Sequence, residues 1–246
     1  MNKSKFLTKV NPLFSEGIAH RGLHNADFTE NGMNAFLNAK ANNSAIELDV
    51  HLSADNQLVV CHDSDLIRTT GKPGIIEEMT SSYIKENYRL RDGETIPTLR
   101  EVMDAIDEVV PIVIELKVWK NNQKKLALRV KEEMKNIKDK KNYMFISFDP
   151  RALTPLKETG IMRSLLCVAD GKYKKVFGFR HLFESVDLEY KMLDRPNVKR
   201  YQKNNYVNCW TIETEEALNA VLPYCDTVTF QHLDPKLVKA KLAEKK

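Results

Sequence analysis

Ala45-Ile46-Glu47-Leu48-Asp49-Val50-His51-Leu52 alternates apolar residues with ionisable ones, and after the turn Ser53-Ala54-Asp55-Asn56 it is followed by Gln57-Leu58-Val59-Val60-Cys61-His62-Asp63. Residues two apart in a strand point to the same side, so Glu47 and Asp49 share one face while Ile46, Leu48 and Val50 take the other. The turn is too brief for a parallel crossover and makes the two segments a hairpin.

Working outward from this hairpin, further strand-like segments read at 17–21, 111–117, 143–148, 163–168, 185–189, 206–212 and 226–230. Helix-length patterns separate most of them. Segment 124–138 is the clearest, with Leu128, Val130, Met134 and Ile137 near helical spacing and charges filling the other face. Strands alternating with helices indicate parallel β/α units, and with the hairpin counted as one unit there are eight. Eight units in about 250 residues predict a closed (β/α)₈ TIM barrel. An open doubly wound sheet is the alternative, although the Gly-x-Gly-x-x-Gly loop such sheets often carry is missing.

The connection at about 63–110 is too long for a simple β/α loop and predicts a small insertion between the second and third barrel strands. It passes through the turn-rich 68–74 and ends in a capping box, Thr98 with Glu101, opening a helix through Val102, Ala105 and Ile106. No linker, low-complexity tract or repeat is visible, so a single domain over 1–246 is expected.

The 42% hydrophobic content of 246 residues is enough for a sizeable core. The first residues carry Lys3, Lys5 and Lys9 without a continuous apolar stretch, and no segment approaches the length of a membrane span. A cytoplasmic protein without stable membrane insertion is the expectation. Cys61, Cys167, Cys209 and Cys225 lie far apart with no Cys-x-x-Cys spacing and read as buried free thiols. The net charge of +4 comes from lysine-rich blocks that read as solvated faces, and with no accompanying motif no nucleic-acid partner is expected. The oligomeric state is left open.

Two carboxylates as close as Glu47 and Asp49 repel each other, and a divalent cation relieves the repulsion; oxygen-only ligation selects Mg²⁺ or Ca²⁺ over zinc. Glu115 and Lys117 repeat the two-residue spacing in Ile114-Glu115-Leu116-Lys117, at the strand end where barrel enzymes place their chemistry. A buried ion pair between these two is the plainer reading. His20 and His62 each follow an apolar strand and emerge at one rim, where two imidazoles can divide the work of general acid and general base. Arg21 offers a planar fork that matches two phosphate oxygens. His24, His51, His181 and His232 have polar neighbours and no partner motif, and are given no role.

His20-Arg21-Gly22, Glu30-Asn31, Glu47-Leu48-Asp49-Val50, His62-Asp63 with Leu66 and Arg68-Thr69-Thr70, Ile96-Pro97-Thr98-Leu99 with Glu101, and Ile114-Glu115-Leu116-Lys117 occur in the order seen in glycerophosphodiester phosphodiesterases. The resemblance is dense from Gly17 to Lys117 and thins to Asn208-Cys209-Trp210-Thr211, which is similar to a late-strand Trp-Thr pair of that family. Thr29-Glu30-Asn31-Gly32 replaces the family's usual Pro-Glu-Asn-Thr, and Val228-Thr229-Phe230-Gln231-His232 stands where a Thr-Asp pair is common. The resemblance implies a TIM barrel, a divalent metal ion held by Glu47, Asp49 and Glu115, and His20 and His62 as the acid/base pair. It also implies that Arg21, Lys117 and Trp210 bind substrate. The implied reaction is hydrolysis of a small-molecule glycerophosphodiester to an alcohol and glycerol 3-phosphate. A lysophospholipid-active phosphodiesterase of the same fold would need an apolar entrance, for which the insertion offers Ile75, Ile76, Met79, Tyr83 and Ile84. A barrel that binds phosphodiesters without turnover is the alternative from outside enzyme chemistry.

Overall fold

The computed structural model describes residues 1–245. Its strands are β1 (Ile18–Ala19), β2 (Ala45–Leu52), β3 (Leu58–Val60), β4 (Ile112–Leu116), β5 (Tyr143–Ser147), β6 (Met162–Cys167), β7 (Ser185–Glu189), β8 (Val207–Ile212) and β9 (Thr227–Phe230). Eight of them are parallel, and the ring closes because β1 pairs with both β2 and β9. β3 is the exception, antiparallel to β2 and outside the ring, as the short turn requires. The fold is the (β/α)₈ barrel that the alternation predicts, not an open sheet.

The two-residue alternation of β2 sorts its side chains. Ile46, Leu48 and Val50 face outward, where they meet Ile112, Ile114 and Leu116 of β4 and the surrounding helices. Complete burial of each such side chain contributes roughly 1.5–3 kcal/mol. Inside the ring, Ile18, Ala45 and Val113 pack near the N-terminal strand ends with Met144, Met162 and Tyr206, and Phe6 and Phe14 of the leading segment fill that end of the barrel. The opposite, C-terminal end is thereby left for polar side chains.

The long connection has its own small core of Leu66, Ile76, Ile84, Tyr88, Leu90 and Ile96, packed on Val59 and Cys61. Its last part, within the expected 63–110, belongs to the barrel: helix Leu99–Ile106 buries Leu99, Val102, Met103 and Ile106. Thr98 and Glu101 form the reciprocal capping box, with the Thr98 amide donating to Glu101 Oε2 at 2.9 Å.

Three local expectations change. β1 is confined to two residues because Gly17 and Arg21, at its flanks, take positive φ angles of 106° and 56°. The helix read at 124–138 runs Gln123–Glu133 and tightens into a 3₁₀ turn at Met134–Asn136. Its buried face is Leu126, Ala127 and Val130, whereas Leu128 is half exposed, because two residues rotate a side chain by about 200° around the axis. All four cysteines are free and buried. No helix among the described residues is long and apolar enough to cross a membrane.

Candidate active site

Parallel pairing of β2 with β4 sets Asp49 directly beside Glu115. Glu47, Asp49 and Glu115 each turn inward at the C-terminal end of the ring, and one oxygen from each lies within 4.8 Å of the others. All three are buried. Lys117 Nζ stands 2.9 Å from Glu115 Oε1 and 3.2 Å from Asp49 Oδ1, so the ion pair expected as the plainer reading exists, but within a larger cluster. Arg21 approaches from the loop after β1, its Nε 3.4 Å from Asp49 Oδ2.

Burial, then the charges of Asp49 and Glu115, push the Glu47 carboxyl well above its ordinary range. Burial also raises Glu115, against the opposing ammonium of Lys117. For Asp49 the burial cost is outweighed by Lys117, His62, Arg21 and the Asn31 amide, which hold it low. Asp49 Oδ1 and Arg21 Nε are buried without a hydrogen-bond partner, despite the nearby opposite charges. Three convergent carboxylates, an unpartnered oxygen and no sulfur or imidazole donor among them fit a hard divalent cation.

Arg21 adopts a left-handed φ of 56°, which turns its backbone N–H to donate to Glu47 Oε2 at 3.0 Å. Its Nη1 donates to Glu30 at 2.7 Å; Glu30 also accepts two hydrogen bonds from Arg68, each 2.8 Å long. The two guanidinium groups overcome burial and hold the Glu30 carboxyl down to about 2. Arg68 Nε then donates to Asp63 Oδ2 at 2.5 Å, and Asp63 Oδ1 lies 2.7 Å from His62 Nδ1. A continuous charged network therefore joins Arg21 to His62. Burial lowers the His62 imidazole even with Asp49 and Asp63 opposing. Burial and Arg21 lower His20 to about 4, against a hydrogen bond from its Nδ1 to Gln231 Oε1 of 2.7 Å. Each ring has a fixed Nδ1 partner, Gln231 for His20 and Asp63 for His62.

His20, Arg21, Glu47, His62, Glu115, Lys117 and Trp210 line one cavity of about 120 Å³. Phe148 forms part of its wall and meets the Trp210 ring edge-on at 5.7 Å. With Asp49 buried directly behind, every residue singled out in the sequence converges here. The cavity adjoins a larger polar one of about 730 Å³ that shares His20, Arg21 and Thr211 and reaches His24, Asp92, Glu213 and His232.

A model of the glycerophosphoryl diester phosphodiesterase family matches residues 20–232. The chain belongs to that family. A glycerophosphodiester phosphodiesterase of Caldanaerobacter subterraneus is 36% identical over 127 residues, covering 47% of this chain and 52% of the relative. The chain thus spans about half the length of the curated relatives it matches. The crystal structure of a glycerophosphodiester phosphodiesterase from Thermotoga maritima superposes with a TM-score of 0.71 at 28% identity, covering 93% of this chain and 96% of that one. A phosphodiesterase from Oleispira antarctica, solved with its product sn-glycerol-3-phosphate, gives a TM-score of 0.78 at 24% identity, with coverage of 92% and 96%.

Within this glycerophosphoryl diester phosphodiesterase fold, several residues given no role in the sequence support the site. His51, on the inward face of β2, places Nδ1 2.6 Å from Glu77 and Nε2 3.1 Å from the His62 carbonyl, tying the hairpin to the insertion. Its place two residues after Asp49 was the available signal. Asn31 donates to Asp49 at 2.9 Å from a left-handed backbone position. His24 and His232 stand edge to face with 5.1 Å between ring centroids in the larger cavity. Asp187, Asn208 and Thr229 form a polar patch inside the barrel, and Gln231 contacts His20 across 211 residues. Asn208, Thr229 and Gln231 lie in stretches compared with the family above, but nothing local in the sequence shows that they and Asp187 make these contacts.

Proposed function

We propose that the protein hydrolyses water-soluble glycerophosphodiesters to an alcohol and glycerol 3-phosphate. The observation that carries this reading is the convergence of an acidic trio, two histidines and two partly buried cations on one small cavity. Glu47, Asp49 and Glu115 would hold Mg²⁺ or Ca²⁺. Such an ion, when bound, supplies positive charge to the phosphodiester oxygens. Arg21 and Lys117 hold the phosphate and offset charge that builds in the transition state. Of His20 and His62, one accepts the proton of the attacking hydroxyl and the other donates to the leaving alcohol oxygen. Trp210 and Phe148 form the apolar wall against which the substrate is oriented.

The names of the relatives and the product found in the Oleispira enzyme support this substrate class. The insertion also favours a soluble diester over a lipid. Ile76 and Ile84 are fully occupied in its core with Met79 against them, while Tyr83 is exposed, so its apolar residues form no continuous entrance.

The test is release of glycerol 3-phosphate from glycerophosphocholine as a monomeric solute, with Mg²⁺ or Ca²⁺ and then with excess chelator. Turnover that stops on chelation and returns with either ion is the expected result. Turnover only of aggregated lysophosphatidylcholine would replace this reading with the lipid-active one. Saturable binding with no product at long incubation would make the barrel a binder.

A further inference from the structure

Barrel register brings three side chains into a row at the C-terminal rim. Ala19 of β1 pairs with Phe230 of β9, and Phe230 pairs in turn with Ile212 of β8. The residues that follow are His20, Gln231 and Glu213. Backbone hydrogen bonds carry the pairing one step past the strands, from the His20 amide to the Phe230 carbonyl at 2.9 Å and from the Gln231 amide to the Ile212 carbonyl at 3.0 Å. The side chains continue the row: Glu213 Oε1 accepts from Gln231 Nε2 at 2.5 Å, and Gln231 Oε1 lies 2.7 Å from His20 Nδ1.

We propose that Gln231, oriented by Glu213, is a positioning residue that fixes the tautomer of His20. A carboxylate has only acceptors, so Glu213 requires the NH₂ end of the Gln231 amide to face it. The carbonyl end then faces His20. An amide oxygen only accepts, so Nδ1 carries the ring proton and Nε2 keeps the lone pair. Nε2 takes no hydrogen bond from the protein among the described residues, so the lone pair remains available. A single exposed carboxylate, outside contact with the acidic trio, thus determines which nitrogen of a half-buried histidine can accept a proton.

The inference rests on the proposed hydrolysis only for its kinetic arm. The direct test is long-range ¹H–¹⁵N NMR of ¹⁵N-histidine-labelled protein with Mg²⁺ present, with His20 assigned by its loss in His20→Gln. Wild type should show His20 protonated at Nδ1. Glu213→Gln removes the constraint on the Gln231 amide, because the side-chain amide introduced there can accept or donate. It should show a population protonated at Nε2 and lose about 3–10-fold in kcat, with KM changed less than 2-fold. Gln231→Leu should lose about 10–100-fold in kcat, less than the roughly 10²–10⁴-fold that a general acid–base group itself contributes, because His20 is retained and only its positioning is lost. The exchange variant Glu213→Gln/Gln231→Glu keeps an acceptor facing His20 and a donor–acceptor pair between the two side chains, and should restore the Nδ1 protonation and part of that loss. Wild-type His20 protonated at Nε2, or a Glu213→Gln protein whose His20 spectrum equals wild type, would overturn the proposal. The spectrum is readable without turnover, so a failure of the substrate reading leaves this test decisive.

Discussion

Asp187 is a carboxyl enclosed by the barrel, accepting from Ser164 Oγ and, at 2.9 Å, from Asn208 Nδ2. Burial raises it to about 6, with both hydrogen bonds opposing. Folding therefore favours its protonated form. The charge penalty is absent below the unfolded value near 3.8, grows as pH rises, and is complete once pH passes about 6. Asp187→Asn keeps the shape and can donate to Ser164 while accepting from Asn208. Urea unfolding in chelator should find the variant more stable than wild type at pH 8, by up to about 3 kcal/mol, and no more stable at pH 4. A loss of stability at pH 8 would show that the ionised carboxylate contributes to the fold. This residue was invisible in Ser185-Val186-Asp187-Leu188-Glu189, because alternation reveals which face a side chain takes but not what neighbouring strands present there. Glu47, Asp49 and Glu115 were legible because their partners lie two residues away or on strands marked by the same spacing.

Element boundaries near the site depend on backbone requirements more than on hydrophobic pattern. The strand expected over 17–21 yields to a turn in which Arg21 and Gly22 take φ angles of 56° and 80°. A Cβ on Gly22 would stand 2.8 Å from the Ala35 carbonyl carbon and 2.9 Å from its oxygen, both backbone atoms of the next helix. Gly22→Ala should therefore destabilise the protein by about 2–4 kcal/mol, combining strained φ with a clash that rotamer change cannot relieve. It should also raise KM, since Arg21 is aimed by this turn. A melting temperature within about 1 °C of wild type would refute the backbone argument. The insertion acts on the adjacent loop, with Asp92 accepting from the Thr29 amide at 2.7 Å and Glu94 from the Asn34 amide at 3.1 Å. Its length was legible from 63–110, but this bracing was not, since exposed acids in a turn carry no mark of the amides they meet.

For the whole molecule, the acidic trio joins neighbouring barrel strands β2 and β4, and a divalent cation bound there would relieve its mutual repulsion. A ligand that binds only the native state stabilises it by about 2.7 kcal/mol at a hundredfold excess over Kd. For a chain of this size that corresponds to about 5–10 °C in Tm. Thermal unfolding of wild type with saturating Mg²⁺ or Ca²⁺ should show a rise of that order. Glu47→Gln should melt at or above the metal-free wild type, because one buried carboxylate is removed, and its response to the ion should shrink to a small fraction. An undiminished shift in Glu47→Gln would remove Glu47 from the ligand set.

The sequence by itself determined the barrel, the hairpin and the inward-facing acids, because alternation with period two and helical spacing between strands are local properties written in consecutive residues. It also marked His20, Arg21, His62 and Lys117, each attached to a readable strand end. Tertiary structure alone decided which distant groups tune them: Gln231 and Glu213 on His20, Arg68 and Glu30 between Arg21 and His62, and His51 behind the His62 carbonyl. The physical reason is ring closure. Pairing β1 with β9 sets residues 211 apart side by side, and that register arises from the packing of all eight units rather than from any one of them.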